Sequence, residues 1–198
     1  PVKTHIAVTE RERMRAYERL REELAAGRQA FVVCPLISES EALEAKAATV
    51  EYERLRQGEL KDFNVMLLHG QLHAREKQAV MAAFMSGEAD VLVATSVIEV
   101  GIDVANATVI LVENAERYGI SQLHQLRGRV GRGEHSSLCL LFGDKNSQRL
   151  QALAQHNDGF KLAEIDLELR GAGEVIGTRQ SGAQQFQVAR LPEDMELL

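Results

Sequence analysis

The chain has 198 residues, with 23 Lys and Arg against 29 Asp and Glu, a formal net charge of −6. Hydrophobic residues make up 45% and charged residues 26%, the balance of a folded globular chain and not of a disordered one. The length suffices to bury a core without disulfide or metal; the acidic balance argues against indiscriminate coating of nucleic acid but allows a local basic site; and no apolar run approaches the roughly 20 residues of a membrane helix.

The first residues lack the basic-then-apolar profile of a secretion signal. A start at Pro1 without Met suits a processed or excised fragment. Thr9 with Glu12 makes a capping box, and Met14, Tyr17, Leu20 and Leu24 follow at near-helical spacing until Gly27. Residues 30–33 form a compact apolar run ended by Pro35. Ser38 with Glu41 makes a second capping box, opening a charged helix that runs to about Gly58. Residues 65–68 have the pattern of a short buried strand, and 74–85 that of a helix stopped by Ser86 and Gly87. Strands follow at 90–94 and 108–112, a helix at 121–130, a strand at 138–142 and a helix at 146–156. A last helix spans 161–170, and Gly171, Gly173, Gly177 and Gly182 punctuate what comes after. Cys34 and Cys139 sit inside apolar runs, which fits reduced core thiols and a reducing cytoplasm.

Near-continuous apolar strands separated by helices predict a parallel sheet covered on both faces. Right-handed crossovers make it one doubly wound α/β layer of five or six strands. The expected organisation is a lobe over 1–143 and an appendage over 144–198, a helical pair followed by a loop-rich extension.

Three places could carry chemistry. Gln125 to Gly133 interleaves Arg127, Arg129 and Arg132 with Gly128, Gly131 and Gly133. Each Gly costs a helix about 1 kcal/mol against Ala, so the repetition needs a reason. Close backbone approach to a partner, with guanidinium forks fixed for phosphate oxygens, supplies one. The second place is residues 91–104. A strand ends at Ala94, and Thr95 and Ser96 follow where ligands of such sheets bind, beyond the carboxyl ends of strands. Gly101 lets the backbone turn towards a ligand, and Asp103 puts a carboxylate nearby. A plain helix cap at Thr95 and a turn at Asp103 explain the same residues. The third place is His69-Gly70, also just after a strand and suited to a backbone phosphate. His69 and His73 lack an acidic or cysteine partner at ligand spacing, so no metal is expected.

The absences narrow the choice. There is no G-x-x-x-x-G-K-[S/T], hence no P-loop, and no paired acidic motif for magnesium. Aromatic residues are 5% with no Trp, which does not favour a base-stacking platform. Arginines poised for a phosphate without a P-loop imply half a site, completed from another domain or chain in the manner of an arginine finger. A nicotinamide-binding enzyme on such a sheet is disfavoured by the missing glycine fingerprint after the first strand.

The run Gln125 to Arg132 resembles motif VI of superfamily 2 helicases, Q-x-x-G-R-x-G-R, residues 94–103 resemble their motif V, and Leu68-His69-Gly70 resembles a neighbouring nucleic-acid-contact motif. Cys34-Pro35-Leu36-Ile37, residues 121–129, residues 166–174 and Gly177-Thr178-Arg179-Gln180-Ser181-Gly182 are similar to the RecG family of bacterial ATP-dependent DNA helicases. The stretch 158–182 resembles an element that this family shares with the transcription-repair coupling factor, which keeps the motor lobe of that factor as the nearest rival. A non-catalytic nucleic-acid-binding module is the alternative from another class.

The resemblance implies the second RecA-like lobe of a motor that moves on branched or forked DNA in the cytoplasm. Arg132 would be the finger, with Arg129 and Gln125 beside the γ-phosphate and Gly101 and Asp103 at the nucleotide edge. His69, Gly70, Thr95 and Ser96 would meet the DNA backbone. Arg170 and Gln180 would belong to the hairpin and loop that couple lobe closure to DNA movement. ATP and Mg2+ would be bound mainly by the P-loop lobe, which with the family's wedge domain matches nothing in this chain.

Overall fold

A computed structural model describes residues 2–35, 40–95 and 103–181, with 172–181 described by their backbone. Six strands lie in one sheet: β1 (Val2–Ala7), β2 (Gln29–Val33), β3 (Val65–Leu68), β4 (Val91–Ala94), β5 (Ala107–Val112) and β6 (Ser137–Phe142). Their order is β1-β6-β5-β2-β4-β3, and every pairing is parallel. The helices are α1 (Glu10–Ala25), α2 (Glu41–Gln57), α3 (Ala74–Met85), α4 (Ile120–Arg127), α5 (Gln148–Gln155) and α6 (Gly159–Ser181).

Alternation along the strands builds two cores. Val32, Val93, Leu111 and Leu140 face α1 and α2, where they meet Tyr17, Leu20, Ala48 and Leu55. Phe31, Leu92, Ile110 and Cys139 face the other way, towards Phe84, Leu123, Leu126 and Leu153. Successive side chains of a strand point to opposite faces, so a sheet covered on both sides reads as continuous apolar runs. Each fully buried Leu, Ile or Phe contributes roughly 1.5–3 kcal/mol. Among the described residues no helix is long and apolar enough to cross a membrane.

The five strands expected from the sequence are all present, together with β1, which the sequence pattern did not reveal. β1 is an edge strand with Lys3 and His5 exposed, and its weak alternation lacks the apolar density of the inner strands. α1 begins on the expected capping box: Glu12 N donates to Thr9 Oγ1 (3.1 Å) and Thr9 N to Glu12 Oε1 (2.9 Å). α2 differs in detail. Its N-cap is Ser40, whose hydroxyl accepts from Leu43 N at 3.0 Å, and the expected Ser38 cap lies outside the described residues.

The larger correction concerns residues 171–181. They continue α6 through Gly171, Gly173 and Gly177, so the helix does not stop near Arg170. Glycine weakens a helix by about 1 kcal/mol each but does not forbid it. Leu150 and Leu153 of α5 and Leu162 of α6 belong to the same core cluster as the sheet.

Candidate nucleotide and nucleic-acid interfaces

α4 descends from the carboxyl edge of the sheet to its amino edge, where the chain turns into β6. Arg129 and Arg132 lie in that turn. Arg132 Nε donates to Gly128 O (3.0 Å), and its Nη1 pairs with Asp103 Oδ2 at 3.3 Å. The two side chains are 50% and 58% exposed, so the pair stands in solvent. Arg129 Nε is buried and has no hydrogen-bond partner among the described residues. Gln125, one turn back on α4, is exposed.

Glycine makes this junction possible. Gly131 has φ +85°, and a Cβ there would fall 2.6 Å from Val2 Cγ2. A Cβ on Gly133 would fall 2.6 Å from the carbonyl oxygen of Ala105. These close approaches press the 131–133 turn against the 103–106 turn that enters β5. Asp103 therefore lies at the amino edge, not beyond a carboxyl end as expected. The usual ligand position of an open α/β sheet is not where this acid sits.

Arg127 does not join the other two arginines. It is 3% exposed. Its Nη1 donates to Leu153 O (2.5 Å) and Thr4 Oγ1 (3.3 Å), its Nη2 donates to His156 O (2.9 Å), and His124 Nδ1 lies 3.0 Å from Nη2. The guanidinium closes the orphan carbonyls at the end of α5, a cation at the end where the helix dipole favours one. Burial and the nearby Arg127 charge lower the pKa of His124. The sequence reading of three phosphate forks is thus corrected for Arg127, which is taken up within the fold.

Of the residues expected to meet DNA, the described ones, His69, Gly70 and Thr95, lie on the opposite edge. Strands of four to six residues separate the two edges by about 13–20 Å. His69 and Gly70 follow β3. His69 Nδ1 accepts from Gln71 N at 3.1 Å, and a Cβ on Gly70 would meet Glu41 Oε1 at 2.9 Å. Thr95 closes β4 and is 3% exposed. Ser96 and Gly101 lie outside the described residues. Arg170 is on α6, 69% exposed and paired with Asp166 Oδ2 at 3.3 Å. It borders a cleft of about 310 Å³ with Ile120, His124 and Leu162. Gln180 falls in the last turn of α6, not in a loop.

Tyr118 gave no signal in the sequence. Its hydroxyl donates to Cys34 O at 2.6 Å and so ties the approach to α4 onto the end of β2. Only the packing shows it.

Residues 14–134 match the family described as helicase conserved C-terminal domain, and the chain belongs to that family. Within it the likeness is to RecG: residues 156–198 match the family described as ATP-dependent DNA helicase RecG, domain 3, C-terminal. The ATP-dependent DNA helicase RecG of Synechocystis sp. is 50% identical over all of this chain, which covers 24% of that protein. RecG of Escherichia coli K12 is 53% identical over 88% of this chain and 26% of its own length. The chain thus spans about a quarter of these relatives. A structure of RecG bound to a three-way DNA junction matches 99% of this chain and 25% of that one, with TM-score 0.70 and 41% identity. The yeast Dbp5 bound to RNA and ADP BeF3 matches in fold, with TM-score 0.57 and 20% identity over 79% of this chain and 39% of its own. The fold is the RecA-like one of helicase C-terminal lobes.

Proposed function

We propose that this chain works as the second motor lobe of an ATP-dependent DNA helicase that acts on branched DNA, in fork reversal, recombination and repair in the cytoplasm. The observation that carries the proposal is the pair Arg132–Asp103 in open solvent beside a buried Arg129 Nε that has no partner among the described residues. An exposed ion pair is worth about 0–1 kcal/mol, so a triphosphate can take Arg132 from Asp103. The sequence has no P-loop, so ATP and Mg2+ would be held mainly by a preceding lobe of the same parent protein. Arg132 then completes the site as the finger on the γ-phosphate, with Arg129 and Gln125 alongside and Gly101 and Asp103 at its rim. Charge developing in the transferred phosphoryl group is met by guanidinium from across the cleft.

DNA is taken on the other edge, at His69, Gly70, Thr95 and Ser96. Residues 144–198, with Arg170 and Gln180, are the element that converts lobe closure into movement against a wedge domain elsewhere in the parent. Arg127 supports this: it fixes the end of α5 to the helix that leads into Arg129 and Arg132.

The test is Arg132→Ala in the two-lobed protein. DNA-stimulated ATP turnover should fall about a thousandfold or more, while affinity for a three-way junction stays within about threefold. Undiminished turnover would overturn the finger assignment.

A further inference from the structure

We propose that Glu113 and Glu51 share a single proton at the carboxyl edge, and that this proton seats α2 on the sheet. Glu113 follows β5 directly. Its backbone N donates to Val33 O (2.9 Å), and Asn114 after it is left-handed, with φ 47°. The Glu113 side chain lines the same groove as Glu51 of α2 and is hydrogen-bonded to it. Two ionised carboxylates offer acceptors only. A hydrogen bond between them therefore requires a proton on one.

The neighbours decide which carboxyl group carries it. Arg54 grips both oxygens of Glu51, Nε on Oε1 at 2.6 Å and Nη2 on Oε2 at 2.8 Å. Burial works against the Glu51 charge, but the bonds from Arg54 and Glu113 hold its carboxyl below the usual range. Glu113 has no such donor. Its Oε2 is buried and has no partner among the described residues. Burial, then the bond to Glu51 and the charge on it, push the Glu113 carboxyl up to about 10.

The charges of Arg54 and Arg13 pull the Glu113 carboxyl down but do not outweigh its burial and Glu51. Arg54 Nη2 donates to the Tyr17 hydroxyl of α1 at 2.9 Å, and its Nη1 donates to Glu59. Arg13 of α1 is committed to Gly143 O (2.9 Å) and to the ring of Phe142. Cys34 and Tyr118, behind, are themselves held neutral by burial. The groove above, of about 500 Å³, opens between α1 and α2.

α2 carries the consequence to its other end. Glu41, in its first turn, backs onto Gly70, where a Cβ would come within 2.9 Å of the carboxylate. Removing the Glu113 proton sets two negative charges face to face beneath α2 and unseats the helix behind the 69–70 loop. The inference is independent of nucleotide and DNA and stands on this chain alone.

The folded chain keeps a proton that the unfolded chain loses above the ordinary Glu range. Folding stability must therefore fall as pH rises from that range towards 10. Urea unfolding at pH 6, 7, 8 and 9 should show the folding constant of the unaltered chain dropping against that of Glu113→Gln, by up to about tenfold per pH unit. Glutamine keeps the shape and the donor without the charge. Parallel pH dependences of the two chains would overturn the shared proton. Should the variant fail to fold, a ¹³C titration of the unaltered chain decides: Glu113 protonated at pH 7 supports the proposal, and Glu113 ionised at pH 7 overturns it. The Gly70 amide resonance should move with the Glu113 midpoint. A Gly70 resonance that ignores that midpoint would overturn the seating of α2.

Discussion

Five residues apart, Arg127 and Arg132 use one side-chain chemistry in opposite ways. At the end of α4, Arg127 is sealed and spends its fork on two carbonyls and a hydroxyl of its own fold. In the turn beyond, Arg132 stands half in solvent, held by the carbonyl of Gly128 and one exposed carboxylate. The difference teaches that burial and partner type, not residue identity, separate a structural arginine from one available to a ligand. A guanidinium that meets carbonyl oxygens at a helix end is consumed there. One whose partner is another exposed charge is held by little.

The comparison can be broken by substitution. Arg127→Ala should have the largest effect on stability, about 3 kcal/mol, because it takes the guanidinium donors from the buried Leu153 O and the part-buried His156 O. Chemical unfolding would measure it, and Arg127→Lys should recover only part, since one ammonium cannot span two carbonyls and a hydroxyl. Tyr118→Phe comes next, at about 1–2 kcal/mol, by orphaning Cys34 O at the opposite end of the segment that carries α4. Arg132→Ala should change stability by no more than about 0.5 kcal/mol in the same assay. A large loss there would mean that Arg132 is structural too, and the contrast would collapse.

The sequence disclosed the inner strands because they are buried on both faces, and it disclosed α1 because Thr9 and Glu12 signal a cap locally. It did not disclose β1, whose half-exposed alternation depends on a partner far along the chain. Nor did glycine spacing show where α6 ends. The family resemblance put Arg132, Arg129 and Asp103 together, and the structure pairs Arg132 with Asp103; the edge of the sheet on which the pair forms was not legible, because it depends on how the 131–133 turn packs on Ala105 and Val2. Arg127 was misread because a phosphate and a row of helix carbonyls call for the same residue. The Glu51–Glu113 contact left no trace, since 62 residues separate its members.

The placement of β1 also bears on how the chain comes into being. Val2 pairs with Ser137 and Ala7 with Phe142, 135 residues later in each case. At 5–20 residues per second, a ribosome needs about 7–27 s to deliver the partner of a strand it has already made. During that interval residues 2–7 do not yet have the β6 ladder to join. Lys3, exposed on the finished edge strand, guards that waiting segment against pairing with a neighbouring nascent chain, as charge on an edge strand does. The earliest-made strand of the sheet thus pairs only with the latest-made one.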